Sequence, residues 1–449
     1  VETMSSFGSC FAEIREAARL PDRPLPSVTG VGVLPSAYAV TDLATASLAA
    51  AGEAIADLIA ARHDAHSIVS VDRRLASLWF KSSLRPVGWE LPAPWDSVAG
   101  DYSTKDGWIR LHTNAPHHRR AAMKVLGVAD TEETERKLVA AAVAAWNATE
   151  LENAVISAGG CAGELRSSAA WAEHPQGKAV IGEPLLHHET FPGPAPAKWE
   201  VKRHRPLDTI RVLDLTRVLA GPAATRFLAG YGADVLRIDP PGDLWVEALA
   251  EEMTPGKRSA ILDLREDTDR ERLKELITEA DVMVHGYRSD ALAGLGLDTS
   301  VRRSLNPGLV DVALCAYGWT GPWAGRRGFD SIVQMSSGIA ETGMRHYGKN
   351  TPTPLPVQAL DYATGFIVAT AAVRGLAERV RSGNGSSFRT ALARIAALLE
   401  KYKQSPGAPE LAQETEADLV QTIEETHWGP ARRLSSAVTV SGVPVSWDI

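Results

Sequence analysis

RVLDLTRVLAGPAATRFLAGYGADVLRIDPPGD, residues Arg211–Asp243, decides how the rest of the chain is read. An apolar run at Arg211–Leu215 leads into a turn at Val218–Pro222, then an Ala-rich helical stretch, then a second apolar run ending in Asp239-Pro240-Pro241-Gly242. Strand, turn, helix and strand in this order form a βαβ unit, whose two strands run parallel. Gly221 and Pro222 at the junction let a ligand approach the backbone, and the helix N-terminus offers N–H groups to an anion. GPAATR lacks the later glycines of GxGxxG, and no GxxxxGK[ST] occurs, so NAD and ATP in their usual cradles are not expected. On these residues alone, a tight turn in any α/β protein is the favoured reading, with the anion site open beside it.

Working outward, the same rhythm continues. Strands are predicted at Ser259–Leu264, Asp281–His285 and Leu309–Ala316, with helices at Asp267–Glu279, Ala363–Arg381 and Ser387–Lys403. The fold class this implies is α/β, a Rossmann-like doubly wound parallel sheet, with a second, smaller α+β domain upstream. That smaller region carries a hairpin at Asp101–Asn114 and helical patterns at His117–Leu126 and Glu132–Ala145. The expected division is residues 1–85, an N-terminal helical segment; 86–190, the small domain; 191–207, a linker; 208–403, the Rossmann-like domain; and 404–449, a C-terminal tail. Helices are also predicted at Asp42–Arg62 and Ser70–Phe80.

Composition narrows the function. A net charge of −8 gives no electrostatic reason to expect nucleic acid, so an anionic ligand must be held by a local site. The three cysteines, Cys10, Cys161 and Cys315, are far apart and lack zinc-ligand spacing, so no metal is expected and a reducing, cytoplasmic setting is the simpler inference. No uninterrupted apolar run reaches the length of a membrane span, and no membrane partner is expected.

The segments VLDLTRVLAGP, GADVLRIDPPGD, GKRSAILDLRE, ADVMVHGYRSDALAGLGL and AYGWTGPWAGRRGFDSIVQMSSG, in this order between Arg211 and Gly338, resemble the class III coenzyme A transferases, the CaiB/BaiF family. That group includes formyl-CoA transferase, carnitine CoA-transferase and α-methylacyl-CoA racemase. The resemblance implies a Rossmann-like large domain and a small domain in an interlocked homodimer. Coenzyme A or acyl-CoA and a carboxylate are the implied substrates, with no permanently bound cofactor. Carried over by motif, Val218, Leu219 and Ala220 would line the adenine end, and Lys257 and Arg258 would meet the phosphates. Tyr287 and Arg288 would flank the nucleotide, and Tyr317 with Gly318 would lie nearer the pantetheine. His285 and Gly286 depart from the family's more usual Glu and Asn.

Family members act through an aspartate beyond the GFD-type motif, at the start of a helix, and PLPVQALDYATG places Asp361 there. The resemblance makes Asp361 the nucleophile that attacks an acyl-CoA thioester, an ionised carboxylate favoured by its helix N-terminus. Read on its own, Asp361 is an N-cap. The racemase branch also needs a His beside the aspartate of Gly328-Phe329-Asp330, and Phe329 has no titratable group, which leaves Asp330 as a structural carboxylate.

TDLATASLAAAGEAIADLIAAR, from Thr41, repeats the pattern of LDYATGFIVATAAVRGLAERVR, from Leu360, so Asp42 corresponds to Asp361. Chance likeness of two Ala-rich helices is the alternative. The region after Asp42 resembles the family's small domain, so the chain reads as a rearranged or partial tandem in which Asp42 is vestigial. The reading of function is a CoA-transferase moving coenzyme A from an acyl-CoA to a carboxylate. An acyl-CoA isomerase or racemase-like enzyme and a non-catalytic acyl-CoA-binding subunit stay open beside it.

Overall fold

The computed structural model describes residues 6–63, 67–131, 134–242, 249–288 and 291–447. Its main sheet has seven strands, in the spatial order Lys257–Ile261, Asp234–Asp239, Arg211–Leu215, Val282–His285, Val310–Cys315, Gly385–Ala391 and His187–Phe191. The first six are parallel, and His187–Phe191 pairs antiparallel at the edge. Counted along the chain, the parallel strands follow the order 3-2-1-4-5-6, the doubly wound Rossmann arrangement. The central strands are apolar because helices cover both faces: Val282–His285 is buried throughout, as is Arg211–Leu215 after its first residue. One face packs on helix Asp267–Glu279 through Leu273 and Ile277, the other on Ala220–Gly230 and the long helix Ala359–Ser382.

Two predicted elements come out differently. Ser387–Lys403 splits into strand Gly385–Ala391 and helix Leu392–Glu400, and Ser70–Phe80 splits into strand Val69–Asp72 and helix Arg73–Trp79. In both, a strand pairs with neighbours distant in sequence, and that pairing overrides the local helical pattern.

The small unit has three antiparallel strands, Gly100–Ser103, Trp108–Leu111 and Ala162–Glu164, with helices Pro116–Leu126, Arg136–Val143 and Ala148–Ser157. Its core is its own, built from residues such as Ile109, Leu111, Met123, Val139 and Leu151.

The N-terminal segment is joined to the rest rather than set apart. Strand Val69–Asp72 lies between Ser27–Thr29 and Val438–Val440, and Leu84–Pro86 pairs with Gly429–Arg433. Helix Val40–His63 is long and apolar enough to cross a membrane, but most of that stretch is buried against Ala359–Ser382, as befits a core helix. Glu252 stitches the pieces together: its carboxylate pairs with buried Arg226 and accepts from Ser83 N (2.9 Å) and Leu84 N (2.9 Å). Burial works against that charge, yet Arg226 and Arg433 overcome it and hold the Glu252 pKa down at about 2.

Candidate active site

A doubly wound sheet leaves a crevice beyond the carboxyl ends of its strands, where neighbouring connections leave in opposite directions. Here that point lies between Arg211–Leu215 and Val282–His285, and a cavity of about 460 Å³ opens there. Leu215–Ala220, Gly286–Arg288 and Leu314–Ala316, the ends of three parallel strands, form one side. Ala324 and Arg326–Phe329 form another, and Ala115, His117 and His118 of the small unit complete the wall with Asp361.

The turn after the first strand is tightly made. A Cβ on Gly221 would lie 2.3 Å from Thr216, so only glycine fits, and Val218 holds a left-handed φ of 70°. That conformation is strained for a β-branched residue. Helix Ala359–Ser382 presses on the same turn: a Cβ on Gly365 would meet the Ala220 carbonyl at 2.5 Å. Gly365 is one helical turn beyond Asp361, so the close approach brings Asp361 to the Val218–Ala220 turn.

Asp361 is the third residue of its helix, behind the N-cap Gln358, and its side chain caps nothing. Among the described residues its carboxylate has no hydrogen-bond or ion-pair partner, and it lines the cavity at 8% exposure. The capping is done by fully buried Asp330, the first residue of helix Asp330–Ser337, which accepts the Asp361 N–H at 2.9 Å and the Gln334 amide. Burial, then the neighbouring charge of Asp330, pushes the Asp361 pKa well above the usual carboxylate range, and burial lifts Asp330 to about 6. The expected freely ionised carboxylate is therefore corrected: in the empty cavity the buried pair favours holding a proton.

Of the residues carried over by motif, Val218, Leu219, Ala220, Tyr287 and Arg288 line this cavity. The first three stand at its Asp361 end, which does not suit the adenine position. Lys257 and Arg258 are not at the cavity. Lys257 Nζ is buried and donates to Asp214 Oδ2 (3.0 Å), the Pro222 carbonyl (3.0 Å) and Thr225 Oγ1 (2.7 Å). Its charge is spent on the buried Asp214 carboxylate, and burial lowers its pKa to about 8. Arg258 points outward and pairs with Asp234 at 2.5 Å. Tyr317 is also displaced from its expected place: fully buried, it bonds Ser336 Oγ at 2.8 Å and lies under Arg326. Gly318, at φ 103°, sits against the Glu183 carboxylate.

Of the cavity's basic residues, Arg217, Arg326 and Arg327 escaped the sequence reading as site residues. With Arg288 they line it, and among the described residues Asp361 is the one carboxylate there. Cys315 also lines it, but burial pushes its thiol up to about 12 and the sulfur donates to the Gly318 carbonyl, so it is no nucleophile. The wall loop is clamped by helix Pro175–Gly182 and the residue that follows it. Gln176 donates to the Tyr317 and Thr320 carbonyls and accepts from Trp323 N, while Glu183 accepts from Trp319 N and Thr320 N.

Residues 207–419 match the protein family described as CoA-transferase family III. That match covers just under half of the chain. The chain is 30% identical over 309 residues to an acetyl-coenzyme A transferase of Hypoxylon pulicicidum, covering 64% of this chain and 51% of that protein. It is 35% identical over 208 residues to a succinate–glutarate CoA-transferase of Agrobacterium fabrum, covering 42% and 52%. A solved CaiB/BaiF family protein from Brucella suis is 28% identical, covering 51% of this chain and 65% of that one, at a TM-score of 0.40. The chain spans about half the length of the curated relatives it matches.

Proposed function

We propose that this chain is a family III CoA-transferase that moves coenzyme A from an acyl-CoA donor to a carboxylate acceptor, with Asp361 as nucleophile. The observation that carries the reading is the Asp361 carboxylate, buried, unpartnered and facing a cavity at the switch point of the sheet. Such a group is costly to keep in a fold for stability alone. Its raised pKa makes it more nucleophilic once ionised, and Arg217 and Arg288 on the same cavity are placed to draw the phosphates of an acyl-CoA.

In the proposed step one Asp361 oxygen bonds to the thioester carbonyl carbon, the C–S bond breaks, and the thiolate leaves with the electron pair. A mixed anhydride results. The thiolate returns to the aspartyl carbonyl and releases the acyl group as a free acid; the acceptor carboxylate then attacks the aspartyl thioester, and the sequence reverses. Burial serves this chemistry, because an acyl-aspartate open to water would hydrolyse.

Proton exchange beside the thioester has less support. The rings of His112 and His118 do flank Phe329, at 3.8 and 5.7 Å, but burial holds both pKa values near 3, which makes them weak bases. Acyl-CoA incubated with a radiolabelled carboxylate should yield labelled acyl-CoA. Solvent deuterium at the α-carbon without label transfer would overturn the transferase reading in favour of isomerisation.

A further inference from the structure

Two neighbouring arginines on the wall loop have different fates. Arg326 is committed: its guanidinium pairs with Glu152 at 3.0 Å and lies 3.8 Å over the Trp323 ring. Arg327 is half-buried and lines the cavity, yet among the described residues it has neither ion-pair nor hydrogen-bond partner. A cation withdrawn from water without a counter-charge is unfavourable, and the charge of Arg288, on the same cavity, adds to that cost. The interaction that would offset both costs is an anion inside the cavity.

The small unit presents a matching group. His117, in the first turn of helix Pro116–Leu126, lines the same cavity, and its Nδ1 is buried without a partner. Burial and the charges of Arg327, Arg120 and Arg217 keep its ring neutral, so one ring nitrogen carries an N–H available to an oxygen. The His118 ring lies beside it, tilted, with ring centroids 4.1 Å apart. Arg327 stands three residues before Asp330, whose carboxylate holds the Asp361 amide at 2.9 Å, so the cation and the nucleophile are tied to one short, clamped stretch of chain.

We propose that Arg327, aided by the His117 N–H, binds the second carboxylate of a dicarboxylic acid whose first carboxylate exchanges at Asp361. This rests on the transferase reading and narrows its substrate class. A planar guanidinium matches a carboxylate as a two-pronged donor, whereas a lysine would not. The competing source of the anion is a phosphate of coenzyme A, which Arg288 and Arg217 are also placed to meet.

The test compares glutarate with butyrate as acceptors, with acetyl-CoA as donor, in wild type, Arg327→Met, Arg327→Lys and His117→Asn, alongside calorimetric titration of coenzyme A. Wild type should favour glutarate in kcat/KM by about 100-fold; R327M should erase most of that preference, R327K and H117N should keep part of it, and coenzyme A affinity should hold within about twofold. An R327M variant that binds coenzyme A weakly and keeps its glutarate preference would assign the anion to a phosphate and overturn the proposal, as would a wild type indifferent to the second carboxylate. If no acid is a substrate, the transferase reading falls separately. Glutarate titrated into the coenzyme A-loaded protein then decides the subsite: binding lost in R327M supports it, and binding absent from wild type or unchanged in R327M overturns it.

Discussion

Two helices of this chain, Val40–His63 and Ala359–Ser382, are each 24 residues long, carry an aspartate at their third position and pack against each other, yet their N-terminal ends have opposite characters. At the first, Asp42 pairs with Arg73 at 2.8 Å and takes no part in the cavity wall. At the second, Asp361 has no partner for its carboxylate and faces the cavity. The helix and its aspartate are therefore not enough to make a site. What distinguishes the Asp361 end is the strand-turn-helix beside it, with Gly221 and Gly365 permitting a close approach, and a second carboxylate, Asp330, that caps the helix and leaves Asp361 bare.

That contrast can be broken in several ways. The largest effect should come from Asp361→Asn, which keeps the shape and removes the nucleophile: CoA transfer should fall about a thousand-fold or more, measured as initial rate, while Asp42→Asn leaves the rate alone. Lys257→Met strands the buried Asp214 carboxylate beneath the Pro222 turn, so denaturant unfolding should show a loss of about 3–5 kcal/mol. Phosphate binding at Lys257 would instead appear as weaker coenzyme A affinity with stability intact.

The pH dependence sharpens the comparison further. Because the Asp330–Asp361 pair titrates high, kcat/KM should rise with pH through about 6 and beyond, and Asp330→Asn, by removing the like charge, should move that limb to lower pH. Stability should run the other way. A carboxyl whose folded pKa is raised contributes most below its ordinary value of 3.8 and loses that contribution as pH rises through about 6, so D330N should flatten the decline in unfolding free energy across that interval. The smallest effect belongs to the other helix: Arg73→Met should cost about 1 kcal/mol or less and leave transfer unchanged.

Much of the large domain could be read from the sequence, because central parallel strands must be apolar on both faces and VLDL and VMVH show it without help from neighbours. Asp361 was singled out by the family resemblance of PLPVQALDYATG, since its setting at the head of a long helix reads on its own only as a cap. Lys257 was misread because a basic pair after a turn looks solvated; the corrective signal was Asp214, a charge inside an otherwise apolar central strand, which needs a buried cation. His117, Arg327 and the Gln176 clamp were not legible as site residues, since they come from segments that only the tertiary fold brings together. Strand His187–Phe191 lay across a Pro- and His-rich boundary, where edge pairing rather than any local pattern made it a strand.

The most direct test is to incubate the protein with an acyl-CoA, trap with hydroxylamine or borohydride, and locate the modified side chain by peptide mass spectrometry. Modification at Asp361 with Asp42 untouched is the result expected. Tight coenzyme A binding with neither aspartate modified would contradict the account and leave a domain that holds coenzyme A without carrying out its transfer.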